Sequence, residues 1–214
     1  MTSLLILGAG GHAKVVAETA LASCLTSSVA FLDDRCSGPE KLSTILGWPV
    51  LGPLAQALDP NTSEQYSTAV VAIGHSLTRL RWINNLHIAG YNLPILIHPT
   101  AWVSPSAQIG RGSVVFAQAA VQAQVSIGAG NIINTGSIID HDTHVDDGVH
   151  ICPRASLAGQ VRVGPGSWIG IGASVIQSIC IGSDVTVGAG AAVVSDLPDG
   201  VTACGVPARI LSKS

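Results

Sequence analysis

Residues 127–163 read IGAGNIINTGSIIDHDTHVDDGVHICPRASLAGQVRV, with an aliphatic residue at every sixth position: Ile127, Ile133, Ile139, Val145, Ile151, Leu157 and Val163. The series continues back through Val121, Val115, Ile109 and Val103 to Ile97, and forward through Ile169, Val175, Ile181 and Val187 to Val193. A period of six fits neither the helical repeat nor simple alternation. The residue four places after each landing is mostly small or branched (Ser113, Ala119, Val125, Ser137, Thr143, Ala155), and the residue one place after is often glycine (Gly110, Gly128, Gly164, Gly182). Such hexapeptide repeats predict a parallel β-helix: each hexapeptide makes one short strand and a corner, and three of them make a triangular coil. Coils stack at about 4.8 Å, so residues 18 apart lie one above another. The spacing leaves the handedness of the coil open, and no insertion interrupts the repeat.

The segment before the repeat reads as a small α/β unit. A strand over Leu4–Leu7 runs into Gly8-Ala9-Gly10-Gly11-His12, and an amphipathic segment from about His12 to Ala22 follows. Strand, glycine turn and helix aim backbone N–H groups at a phosphate. A second strand, Val29–Leu32, ends in Asp33-Asp34, where an acid would hold a ribose hydroxyl in a dinucleotide site. After a looser stretch from Cys36 to about Thr68, a third strand over Ala69–Ile73 leads into Gly74-His75 and a helix from Ser76 to about Ala89. Only one mononucleotide half is present and Ala13 stands where a third glycine would be, which favours a nucleotide-sugar over NAD. The expected division is a Rossmann-like nucleotide-sugar-binding domain over 1–96 and a β-helix with its tail over 97–214.

Composition narrows the function. Aromatic residues are 4% and charged residues 11% of the 214, which leaves prism faces poor in charge and points to burial between subunits. A net charge of −3 argues against nucleic acid as a partner. No apolar run approaches the roughly 18 residues of a membrane span, and the first residues carry no signal-peptide pattern. The five cysteines (Cys24, Cys36, Cys152, Cys180, Cys204) lack paired or metal-type spacing and read as reduced thiols of a cytoplasmic protein.

Polar chemistry gathers once in the repeat, over Asp140-His141-Asp142-Thr143-His144, Asp146-Asp147 and His150, all off the core positions. His141 stacks between Ala123 and Gly159, whose small size leaves room for a ligand, and an imidazole near neutral pKa suits removal of a proton from an attacking amine or hydroxyl. Adjacent strand residues point to opposite faces, so Asp142 reaches His141 only if the chain bends there. His144 reads as a solvated residue over Arg162, and His150 over Trp168 as an interface residue or a ligand contact. Three clustered histidines also raise a zinc hydratase, although their spacing does not fit one and no metal is expected.

The whole set LLILGAGGHAKVV, FLDD, VVAIGH, IHPTAWVSPSAQIG and NTGSIIDHDTHVDDGVHICPRASLAG, closed by Gly205-Val206-Pro207-Ala208-Arg209, resembles the sugar acyltransferases of the sialic-acid and bacillosamine type. These are hexapeptide-repeat enzymes with a left-handed β-helix. The resemblance implies acetyl-CoA as co-substrate and a UDP- or dTDP-linked amino-sugar as acceptor, N-acetylated at a 4-amino group. It also implies a homotrimer with the coenzyme in the groove between prisms. The position of His141 is that of the family's catalytic base, and Asp142, where better-studied members carry Glu, that of the acid raising its basicity. By the same resemblance His150, Gly159, Ile171 and Ala189 contact acetyl-CoA, and Gly10, Gly11, His12, Asp33, Asp34 and Gly74 hold the nucleotide-sugar. O-acetylation of a sialic acid and a non-catalytic nucleotide-sugar-binding scaffold are the alternatives.

Overall fold

In a computed structural model, which describes residues 3–37 and 41–211, the chain divides into two compact units between Ile97 and His98. Part of the stretch read as loose, residues 38–40, and the final three residues of the tail lie outside the described residues.

In the first unit, β1 (Leu4–Leu7), α1 (Gly11–Ala22), β2 (Val29–Leu32), β3 (Thr44–Ile45), β4 (Trp48–Gly52), α2 (Pro60–Gln65), β5 (Thr68–Val71) and α3 (Ser76–Ile88) follow in order. The sheet order is β3-β4-β2-β1-β5. Strands β1, β2, β4 and β5 run parallel, and β3 folds back antiparallel on β4. The stretch expected to be loose thus adds a hairpin, β3–β4, to the sheet edge. Its turn residues, Leu46 and Gly47, both take positive φ. All of β1 and β2 is buried, as a parallel strand covered on both faces requires. Gly8 is fixed by two constraints: φ is +101°, and a Cβ there would stand 2.7 Å from the Ala72 carbonyl oxygen. Gly10 and Gly11 differ, since a Cβ on either would meet nothing within 4 Å.

Two basic side chains, Arg79 and His12, turn into the interior of this unit. Arg79 on α3 is 1% exposed and donates through Nη1 to the Ile73 and Gly74 carbonyls, at 3.0 and 2.7 Å. Burial lowers its pKa to about 10. His12 on α1 turns its Nε2 into the interior. Burial first, and the Arg79 charge second, lower its pKa to about 4.

The second unit is the left-handed parallel β-helix. Its strands are two residues long and recur every six, as at Ile138–Ile139, His144–Val145 and His150–Ile151. They pair in parallel with the strands 18 residues away, for example Ile139 with Val121 and Leu157, and Val145 with Ile127 and Val163. The aliphatic landings from Val115 to Val193 line the axis at no more than 3% exposure. The residues four places on also point inward, and the polar ones among them are bonded to backbone. Ser113 Oγ and Asn131 Nδ2 donate to the Gly128 carbonyl at 3.0 and 2.8 Å, Thr143 Oγ1 to Ala158 at 3.1 Å and Ser167 Oγ to Gly182 at 2.8 Å. Each corner carries a left-handed residue, again every six: Gly112, Gln118, Gln124, Gly130, Gly136, Asp142, Gly148, Arg154, Gln160 and on to Gly190. The chain closes with Arg209–Ile210 antiparallel to Thr202–Cys204.

The first unit should lose stability in acid. Its unfolded chain protonates His12 near pH 6.5 and the folded one only near 4, so stability is complete above pH 6.5 and falls as pH drops toward 4, by up to roughly 3 kcal/mol. Denaturant titrations between pH 4 and 7.5 check this. A His12→Gln variant should show a flatter dependence over that window.

Candidate active site and nucleotide pocket

The corner at Asp142 answers the question that strand geometry left open. Position 142 is one of the six-residue corners, with φ of +59°, so the chain turns there instead of continuing as a strand. The turn brings the Asp142 carboxylate to the same side as the His141 ring, with Nδ1 donating to Oδ2 at 2.8 Å. Nδ1 then holds the ring proton, which leaves the Nε2 lone pair outward as the acceptor. Both side chains are about half exposed, at 55% and 52%. The Asp142 hydrogen bond, with further help from the charges of Asp140 and Asp142, holds the His141 pKa above its ordinary value against a smaller opposing effect of desolvation. Asp140 does not bond the ring; its Oδ1 accepts the His141 backbone N–H at 2.8 Å.

One coil away, a Cβ on Gly159 would lie 2.6 Å from Cε1 and 2.7 Å from Nε2 of His141. The imidazole therefore rests on bare backbone, and any larger residue at 159 would push it off. His150 lies on an adjacent face. Asn134 Nδ2 donates to its Nε2 at 3.0 Å, and its ring meets Trp168 edge-on with centroids 4.2 Å apart. His144 instead pairs with Asp146 through Nε2 at 2.9 Å, and no group of three or more metal-ligating side chains converges among the described residues. Ile171 is exposed at 59%, and Ala189 is exposed at a corner. Asn134 was not singled out from sequence, whereas Trp168 was expected there as the stacking neighbour of His150. The Asn134 of NTGSIIDHD, 16 residues before His150, was the available signal.

In the first unit the strand ends bring together the glycine turn after β1, Asp33-Asp34 after β2 and Gly74 after β5, the edge of an α/β sheet where ligands bind. A cavity of about 370 Å³ opens there, lined by Ala9, Gly10, Gly11, Lys14 and Arg35 and by the β3 side, including Leu42, Ile45 and Leu46. Helix α1 begins beside it with no side-chain cap. The sequence-expected residues divide. Gly10 and Gly11 line the cavity, whereas His12, Asp33, Asp34 and Gly74 do not. Asp33 accepts the Ala9 N–H at 2.7 Å and grips Arg35, and these contacts, the Arg35 hydrogen bond foremost, hold its carboxyl below the usual range. Asp34 accepts the Leu54 N–H at 2.9 Å. Lys14 and Arg35 went unnoticed in the sequence, being single basic residues outside any fingerprint.

Comparison with known proteins agrees with this architecture. The PglD N-terminal domain family matches residues 3–86. The acetyltransferase domain of PglB from Neisseria gonorrhoeae superposes with a TM-score of 0.92 at 45% identity, over 99% of this chain and 100% of that one. The same domain has been solved in complex with acetyl coenzyme A, at TM-score 0.90 and 46% identity over 98% of each chain. PerB from Caulobacter crescentus, in complex with CoA and GDP-perosamine, superposes at TM-score 0.91 and 41% identity over 99% of this chain and 98% of that one. Among curated proteins, UDP-N-acetylbacillosamine N-acetyltransferase of Bacillus subtilis is 40% identical over 127 residues, 55% of this chain and 52% of that protein. Serine acetyltransferase of Helicobacter pylori is 51% identical over 45 residues, 21% of this chain and 26% of that protein. The matched segments thus span from about a quarter to about half of these curated relatives. An α/β unit of the PglD type and a left-handed β-helix, in a chain that aligns over nearly its whole length with solved acetyltransferases, make this protein a member of the PglD-type, hexapeptide-repeat acetyltransferase family.

Proposed function

We propose that this protein is an acetyl-CoA-dependent N-acetyltransferase that acylates the amine of a nucleotide-linked 4-amino-sugar by direct transfer. The observation that carries this reading is the His141–Asp142 pair, 2.8 Å apart and seated over Gly159. The family's solved members with acetyl coenzyme A, or with CoA and GDP-perosamine, support the choice of co-substrate and acceptor.

The amine nitrogen attacks the thioester carbonyl carbon while Nε2 of His141 takes its proton. Asp142, bonded to Nδ1, fixes the tautomer and stabilises the imidazolium that forms. A backbone N–H at Gly159 stabilises the oxyanion. The tetrahedral intermediate collapses by breaking the C–S bond, and the proton passes from His141 to the departing CoA sulfur. His150, held by Asn134, and Gly159, Ile171 and Ala189 contact the coenzyme. Gly10 and Gly11 hold the nucleotide-sugar, with Asp34, Gly74 and His12 shaping that end of the sheet. The acceptor's nucleotide is uridine or thymidine diphosphate, or the guanosine diphosphate of the Caulobacter relative's ligand.

Exposed apolar residues on the prism, Trp102, Ile138, Trp168 and Ile176, each at least 42% exposed, support a homotrimer in which such faces are covered. The five unpaired cysteines and the CoA co-substrate support a cytoplasmic location.

Mass spectrometry of products from acetyl-CoA and a panel of UDP-, dTDP- and GDP-linked 4-amino-sugars, with sialic acid alongside, tests the reading. Acetylation of an amino-sugar is expected, and product from sialic acid alone would overturn it. His141→Ala should lower turnover roughly 10²- to 10⁴-fold, the usual loss for a general base. Asp142→Asn removes the main cause of the raised His141 pKa. The acid limb of its kcat/KM profile should therefore move to lower pH, with a lower plateau because the base is weaker. Gly159→Ala should leave thermal stability nearly unchanged, since the clash is with an exposed ring, yet reduce turnover at least about tenfold through misplacement of the base.

A further inference from the structure

The Asp33–Arg35 pair assigns a part of the nucleotide pocket that the acidic dipeptide alone does not. Arg35 donates from Nε to Asp33 Oδ1 at 2.8 Å and from Nη2 to Oδ2 at 3.0 Å, a bidentate fork that holds the guanidinium plane in one orientation. Asp33 is itself anchored. Its Oδ2 accepts the Ala9 N–H of the glycine turn at 2.7 Å, and its Oδ1 the Arg35 N–H at 3.0 Å. With four donors on its two oxygens, Asp33 has little capacity left for a ribose hydroxyl. Yet the Arg35 side chain stays 60% exposed while that of Asp33 is only 14% exposed. A long, entropy-rich side chain has been immobilised at the mouth of a cavity without being covered.

The lining of the cavity combines two kinds of group. Gly10, Gly11 and Lys14 offer open backbone and an exposed lysine, which suit a diphosphate. Arg35, Leu42, Ile45 and Leu46 offer a fixed cationic plane and an aliphatic wall. The charge of Arg35 is matched by Asp33 in direct contact, so the pair presents almost no net field to a phosphate. Stacking needs no net charge, and guanidinium planes stack on heterocycles. Apolar neighbours would be wasted on a phosphate and suit the face of a base.

We propose that the plane of Arg35, set by Asp33, is the stacking platform for the nucleobase of the nucleotide-sugar, and that Lys14 takes the diphosphate. Asp33 is then a positioning residue that never touches the ligand. This rests on the nucleotide-sugar reading above and adds which residues meet which part of the nucleotide.

Calorimetric binding of UDP, dTDP and GDP to the full chain, at low and high salt, provides the test. Arg35→Ala should weaken the nucleotide that binds by roughly 5- to 150-fold, the range that loss of a base-stacking partner gives. Arg35→Lys, which keeps the charge and loses the plane, should weaken it as much. The ratio of wild-type affinity to that of the Asp33→Asn, Arg35→Ala double variant, both neutral at this pair, should not change with salt, whereas Lys14→Ala should lose less at high salt. Asp33→Asn should weaken binding, but the Asp33→Asn, Arg35→Ala double variant should be no weaker than Arg35→Ala alone. In turnover, KM for the nucleotide-sugar should rise in the Arg35 variants while KM for acetyl-CoA stays at the wild-type value. Rescue by lysine, a ratio that shrinks with salt, additive losses in the double variant, or an equal rise in both KM values would each overturn the platform. A wild type that binds none of the three nucleotides would overturn the nucleotide-sugar reading as well. A wild type that binds, with Arg35→Ala equally tight, would overturn the platform alone.

Discussion

Everything in the β-helix depends on a left-handed backbone residue at each corner. Between two short strands the chain must turn through a corner of the triangle, and a residue with φ near +60° does this in one step. The requirement recurs every six positions from Gly112 to Gly190. Glycine meets it without strain, but Gln118, Gln124, Asp142, Arg154, Gln160, Ser178 and Asp184 also occupy it, each at a cost of order 1–3 kcal/mol. The ladder between coils sustains that strain, because each turn's backbone groups bond to the coil before and after. Asp142 N–H bonds to Ala123 and Gln160 N–H to His141, at 3.0 and 2.9 Å. At Asp142 the strained corner is also useful. A glycine there would relax the backbone and remove the carboxylate, whereas an aspartate on a straight strand would point away from His141.

The same logic of environment separates the histidines of the two units. His141, exposed and bonded to a carboxylate, has its pKa raised. His12, turned into the interior near a buried arginine, has its pKa lowered to about 4. One ring is a stronger base than free imidazole, and the other stays neutral through the physiological range. Residue type alone does not distinguish them. What does is whether a negative group or an apolar wall stands against the ring.

Much of this was legible in the chain. The six-residue period of aliphatic side chains needs no tertiary information, because only a coil whose faces are one hexapeptide long brings all of them to one axis. The strands at Leu4–Leu7 and Val29–Leu32 and the helix after the glycine turn were legible for a similar reason, since local pattern and turn chemistry agree there. His141 could be singled out because stacking by 18 turns sequence into neighbours and shows a glycine on one side. The β3–β4 hairpin was not legible: β3 is only two residues long, and β4 contains a proline and a glycine and owes its place to pairing with β2.

What the sequence by itself determined is the repeat, its register and the set of residues each coil stacks. These follow from a period that only a three-faced coil satisfies, whichever its hand. Tertiary structure decided where the polar side chains point. The Asp142 carboxylate swings to His141 because a corner falls on that residue. Asp33 turns inward to Ala9 and Arg35 because neighbouring parallel strands end side by side, which leaves Arg35 and Lys14 at the cavity. Those orientations depend on backbone torsions and on partners far away in the chain, so no reading of neighbouring letters contains them.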